Sequence, residues 1–75
     1  MIAKQEKTIL DEIGQRIVRA RKAKSMSQEQ LAAETGLDRV AIGYIEQGRR
    51  RPTVTTIIRL ADGLELKLEQ LFKGL

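Results

Sequence analysis

Residues 28–47 constrain this chain more than any other stretch, because they read as a short helix, a turn of about three or four residues and a second helix crossing the first at a steep angle. Such a crossing makes demands position by position. The first helix must turn an apolar side chain inward, here Leu31, and place a small residue where the two helices approach, here Ala32. The turn needs a residue free to take positive φ, Gly36, and then an apolar plug into the core, Leu37. The second helix needs apolar residues three apart on its buried face, Ile42 and Ile45. Every demand is met in register, which leaves Arg39, Val40, Gly43 and Tyr44 facing outward with no core duty.

The rest of the chain carries the same kind of signal, and no run of alternating β-branched residues is long enough to build a sheet. An all-α domain is predicted. A first helix spans about 8–24, with Thr8 as cap, Asp11 and Glu12 at the positive end, basic residues at the other, and Ile9, Ile13, Ile17 and Ala20 as its stripe. Ser27, with Gln30 three residues on, forms a capping-box pattern for a helix over 28–35. Asp38 can cap the helix to about 47, closed by Gly48, and Thr53 can cap one carrying Val54, Ile57, Ile58, Leu60, Ala61 and Leu64. A short helix over about 67–72 completes five. At 75 residues the chain reads as one domain, with 1–7 as an N-terminal extension.

Composition removes whole classes of chemistry. With no Cys and no His there are no disulfides, no usual zinc site, no thiol nucleophile and no imidazole acid–base pair. The carboxylates fall at helix caps and surfaces, and nothing resembles a nucleophile with its base, so no enzyme, cofactor or metal is expected. No apolar run approaches the ~18 residues of a membrane span, and the N-terminus lacks a signal-peptide core, so no membrane partner and a cytoplasmic location are expected. Charge is placed unevenly: residues 13–59 hold ten basic side chains against four acidic, +6, whereas 1–12 and 60–75 each sum to −1. A basic centre between near-neutral ends suits a polyanion, most commonly nucleic acid, although a solvated basic face would read the same way.

The joint spacing of Ile13-Gly14, Arg16-Ile17, Arg21, Ser27-Gln28-Glu29, Leu31-Ala32, Thr35-Gly36-Leu37, Ile42, Ile45-Glu46, Gly48, Pro52-Thr53, Leu60-Ala61 and Leu64 resembles the lambda-repressor-like, or xenobiotic-response-element-type, helix-turn-helix DNA-binding proteins. The resemblance covers about residues 13–72. It implies a compact five-helix domain that binds a palindromic double-stranded operator as a homodimer, with the helix over 38–47 in the major groove, and that regulates transcription in bacteria or phage. Arg39 is then the first candidate for guanine, Val40 for a thymine methyl, Gly43 for close approach of the DNA, and Tyr44, through its phenol, for a base edge or a phosphate. Gln28, Arg49, Arg50 and Arg51, with Ser27 and Thr53, form the phosphate-contacting set. Arg21 and Glu46 would form a partly buried ion pair tying the first helix to the recognition helix.

Departures from the pattern fall near the C-terminus, where Glu65 stands for the usual Gly and Lys67 for a Ser-like cap. Leu66, Leu68, Leu71, Phe72 and Leu75 are more apolar surface than one short helix can turn inward, and a two-fold dimer interface would bury the excess. Within the family, Leu37-Asp38-Arg39 with Ile42 and Ile45-Glu46 looks like the controller proteins of restriction–modification operons; phage repressors and antitoxins share the scaffold. An activator of this kind would also meet RNA polymerase. The competing class is an antitoxin or other protein-interaction module, which would show weak, salt-insensitive DNA affinity and no effect of Arg39→Ala.

Overall fold

In the computed structural model, which describes residues 4–75, the apolar spacing closes into α1 (Lys4–Ala23), α2 (Gln28–Thr35), α3 (Arg39–Glu46), α4 (Val54–Gly63) and α5 (Leu68–Phe72). There is no strand among the described residues. Each helix sends one side chain to full burial: Ile17 from α1, Leu31 from α2, Ile42 from α3, Leu60 from α4 and Leu71 from α5. Burying each of these is worth about 1.5–3 kcal/mol, so every helix has a stake in the core.

α1 buries Leu10, Ile13, Gly14 and Ile17, the spacing of one helical face. It begins at Lys4, not at the Thr8 expected to cap it; Thr8 lies inside the helix and its Oγ1 donates to Lys4 O at 3.1 Å. The added turn is built from good helix formers, and Glu6 and Lys7 are held by the chain that follows α3. Of the expected N-terminal extension, residues 1–3 lie outside the described residues.

Two of the four remaining helices, α2 and α4, start with the expected side-chain cap. Ser27 Oγ accepts from Gln30 N (3.0 Å) while Gln30 Oε1 accepts from Ser27 N (2.7 Å), and Thr53 Oγ1 accepts from Thr56 N (3.1 Å). Asp38 stands at the start of α3 but its side chain makes no capping bond. Lys67 leads into α5 with its backbone N–H donating to Gln70 Oε1 (2.7 Å), so the helix starts without a Ser-like cap.

Three helices end in one turn, with a 6→1 bond outside a 5→2 bond: Met26 N to Arg21 O and Ser25 N to Lys22 O after α1, Arg49 N to Tyr44 O and Gly48 N to Ile45 O after α3, Leu66 N to Ala61 O and Glu65 N to Asp62 O after α4. The left-handed residues are Ser25 (φ 56), Gly48 (φ 68) and Glu65 (φ 57). At Gly48 space as well as φ requires glycine, because a Cβ there would lie 2.9 Å from Lys7 Nζ and closer still to Asp11 Oδ1. α1 and α3 are packed so tightly that a Cβ on Gly14 would run into the backbone carbonyls of Ile45 (2.7 Å) and Glu46. Gly63 plays the same part between α4 and α2, where a Cβ would come within 2.6 Å of the methyl of buried Thr35.

Candidate nucleic-acid interface

α3 divides cleanly into two faces. Ile42 and Ile45 are buried, while Arg39, Val40 and Tyr44 are exposed. The helix is anchored from behind by Glu46, whose side chain is 5% exposed and accepts from Arg21 Nε (2.7 Å) and Nη2 (3.0 Å) and from Gln28 Nε2 (2.9 Å). Arg21, 11% exposed in its side chain, also donates to Met26 O at 2.9 Å. The bond to Glu46 raises the guanidinium pKa above its already high value, and the pair joins α1, α2 and α3 at one point.

Gln28 sits between this buried pair and the outward face: its Nε2 is committed to Glu46 and its Oε1 lies 3.5 Å from Arg39 Nη1. Gly43 faces Gln28, 3.8 Å from where its Cβ would be, and is half-buried. The end of the Gln28 side chain of α2 thus stands beside Gly43 at ordinary contact distance. Ser27 is engaged in capping α2 and Thr53 in capping α4, both at exposed positions.

The three arginines after α3 are not equivalent. Arg51 is paired with Glu6 on α1, Nη2 donating to Oε1 at 3.1 Å, and this raises its pKa; the structure thus gives Arg51 a partner within the protein. Arg50 lies over the Tyr44 ring, its Cζ 5.2 Å from the ring centre. Arg49 Nη1 donates to Gln47 Oε1 (3.3 Å). The loop itself is gripped by Lys7, whose Nζ donates to Gln47 O (3.1 Å), Gly48 O (2.8 Å) and Asp11 Oδ1 (2.6 Å). Nothing in the local sequence marks Glu6 or Lys7 for this work, because their partners in the loop lie some forty residues away. Elsewhere Glu12 pairs with Arg16 and Arg19, and Lys24 with Glu65. Arg39, Arg49 and Arg50 have no carboxylate partner among the described residues.

An apolar groove of about 380 Å³ runs between Leu10, Ile13, Val54, Ile57, Leu68 and Phe72, bordered by the Glu6–Arg51 pair and Pro52. Of the residues expected at a dimer interface, Leu68, Phe72 and Leu75 are exposed and Leu66 is half-buried against the core. Leu71 is a correction: it is fully buried within the protomer, where it belongs to the core and α5 packs against α1 and α4. Val54 and Ile58, at 74% and 50% exposure, enlarge the apolar face and had been counted only as helix-forming residues. No group of three potential metal ligands occurs among the described residues, and no helix there is long and apolar enough to cross a membrane.

Comparison with known proteins agrees with this geometry. The helix-turn-helix family model matches residues 17–71. The control protein C.MunI of Mycoplasma is 33% identical over 63 residues, 83% of this chain and 85% of its own. The restriction–modification controller protein C.AhdI of Aeromonas hydrophila superposes with a TM-score of 0.82 at 41% identity, covering 84% of this chain and 96% of that one. The controller C.Esp1396I, solved as a tetramer with its natural 35 base-pair operator, gives a TM-score of 0.75 at 29% identity over 87% of this chain and 96% of that one. The chain spans between 30% and 96% of the length of the regulators it matches. By sequence, fold and the two-faced α3, it belongs to the helix-turn-helix family.

Proposed function

We propose that this protein is a sequence-specific double-stranded DNA-binding regulator of transcription, which binds a palindromic operator as a homodimer and controls a restriction–modification operon. One observation carries the reading. Half of the ten cations of the basic stretch pair with carboxylates of the protein itself, and of those with no carboxylate partner among the described residues, Arg39 stands at one end of the outward α3 face and Arg49 and Arg50 at the other, open to an external anion. α3 enters the major groove, Arg39 and Val40 read base edges, Arg49 and Arg50 take phosphates, and the exposed Val54, Ile58, Leu68, Phe72 and Leu75 pack across the two-fold axis. The domain comprises the whole of 1–75, is not an enzyme and works in the cytoplasm on chromosomal DNA.

The test is selection of bound duplexes from a randomised pool at ~150 mM salt, followed by sequencing. Enrichment of a palindrome with half-sites about one helical turn apart is expected, with the preference at one base position relaxed by Arg39→Ala. Bulk binding without enrichment would refute sequence-specific recognition and direct attention to a protein partner.

A further inference from the structure

Tyr44 is the one tyrosine of the chain and stands on the exposed face of α3, with no role in the core. The Arg50 guanidinium lies over its ring at 5.2 Å, inside the range at which an arginine is held by an aromatic quadrupole. The backbone that carries Arg50 is fixed on both sides. Before it, Arg49 N–H donates to Tyr44 O at 2.9 Å and Lys7 ties down Gln47 O and Gly48 O; after it, Arg51 is held by Glu6. A long side chain on a loop ordinarily loses rotamer freedom when it meets a phosphate, and here much of that ordering is done in the free protein. Of the loop's three arginines only Arg50 combines a ring to lie on with the absence of a carboxylate partner among the described residues.

We infer that Tyr44 is a positioning residue: its ring, not its hydroxyl, holds the Arg50 guanidinium at the C-terminal margin of the outward α3 face, where it meets a backbone phosphate of the operator. The inference rests on the DNA-binding reading above and gives the only Tyr a part that does not require it to touch a base. Arginine suits the part and lysine does not, because a planar guanidinium can lie flat on a ring and still present its N–H edge to a phosphate.

Full-length protein is titrated onto its selected duplex between ~50 and ~200 mM salt, comparing Tyr44→Phe, Tyr44→Leu, Arg50→Ala and the double variant Tyr44→Leu/Arg50→Ala. Thermal melts confirm that each is folded. Tyr44→Phe is expected to bind within about twofold of the parent, and Tyr44→Leu about threefold more weakly per protomer, roughly tenfold per dimer. Arg50→Ala should weaken all duplexes alike and flatten the salt dependence by about one unit of slope per protomer. The double variant should bind no worse than Arg50→Ala alone. In the unbound protein, the Arg50 side-chain resonances should show a ring-current shift that Tyr44→Phe keeps and Tyr44→Leu abolishes. A Tyr44→Phe loss equal to that of Tyr44→Leu would assign the role to the hydroxyl and overturn the inference, as would losses that multiply in the double variant. Parent protein that binds no duplex would overturn the DNA-binding reading and this inference together, whereas tight parent binding with multiplying losses overturns this inference alone.

Discussion

Removing the Glu46 carboxylate should cost this protein a substantial share of its stability. Glu46 accepts three hydrogen bonds, two from Arg21 and one from Gln28, at 2.7, 3.0 and 2.9 Å. In Glu46→Ala the Arg21 guanidinium, 11% exposed, would keep only Met26 O, so a nearly buried cation loses its counter-charge. Breaking one side of such a pair costs about 3–5 kcal/mol, and the surviving bond to Met26 argues for the lower end, about 3 kcal/mol. A domain of 75 residues is stable by only about 4–11 kcal/mol in all. At roughly 4–8 °C per kcal/mol for a domain this small, the midpoint of a circular-dichroism melt should fall by on the order of 15–20 °C.

The same physics makes a second, opposite demand. Replacing both partners by apolar residues of similar volume, Arg21→Met with Glu46→Leu, removes the charge along with its partner and should return most of the lost stability. Glu46→Gln, which keeps one acceptor without the charge, should fall between. A Glu46→Ala melt within about 5 °C of the parent would refute the assignment of this pair as the tie between α1 and α3. A double variant as unstable as Glu46→Ala would show that lost packing, not an orphaned charge, accounts for the effect.

Two glycines on neighbouring surfaces should respond in opposite directions. Gly14→Ala pushes a Cβ into the carbonyls of Ile45 and Glu46, which cannot move without separating α1 from α3, and should destabilise by about 1–3 kcal/mol in urea unfolding. Gly43→Ala meets only the end of Gln28 at an ordinary 3.8 Å and should stabilise by up to about 1 kcal/mol through helix propensity, leaving DNA affinity intact unless the groove backbone approaches there. Ser25→Gly relieves a left-handed φ of 56 and should raise stability by several tenths of a kcal/mol, read from the same curves. Glu12 and Glu65 are held below the ordinary 4.5, Glu12 first by its bond to Arg16 and Glu65 by Lys24. Their contribution to stability is therefore complete above that value and lost as pH falls through the lowered ones; Glu12→Gln/Glu65→Gln should lose less stability on acidification, and added salt should narrow the difference.

What could be read in advance was local. Ser27 with Gln30, Thr53, Gly36 and Gly48 announce starts and ends through bonds made within a few residues, and α2, α3 and α4 sit where those signals place them. The start of α1 could not be read that way, since Glu6 and Lys7 act on Arg51, Gln47 and Gly48 across forty or more residues. Glu65 was noticed as a missing glycine, yet the turn forms around it with φ 57, because burying Leu64 and Leu71 on either side outweighs the backbone cost of one left-handed residue. Leu71 is one leucine of a crowded apolar tail in the sequence, and only the packing of α5 on α1 and α4 shows it to be the one that is fully buried.

The same limit governs the functional surface. A sum of +6 over residues 13–59 states how much positive charge the middle of the chain carries, not how much of it faces outward. Folding commits Arg21 to Glu46, Arg16 and Arg19 to Glu12, Lys24 to Glu65 and Arg51 to Glu6. The pairs of Arg21, Lys24 and Arg51 join separate segments of the fold, whereas those of Arg16 and Arg19 lie within α1, and neutralising the nearly buried Arg21 would act first on the melting curve. Arg39, Arg49 and Arg50 are the arginines next to α3 that folding leaves without a carboxylate among the described residues. Their removal should act on affinity and leave the melt in place, which separates a residue that builds the surface from one that uses it.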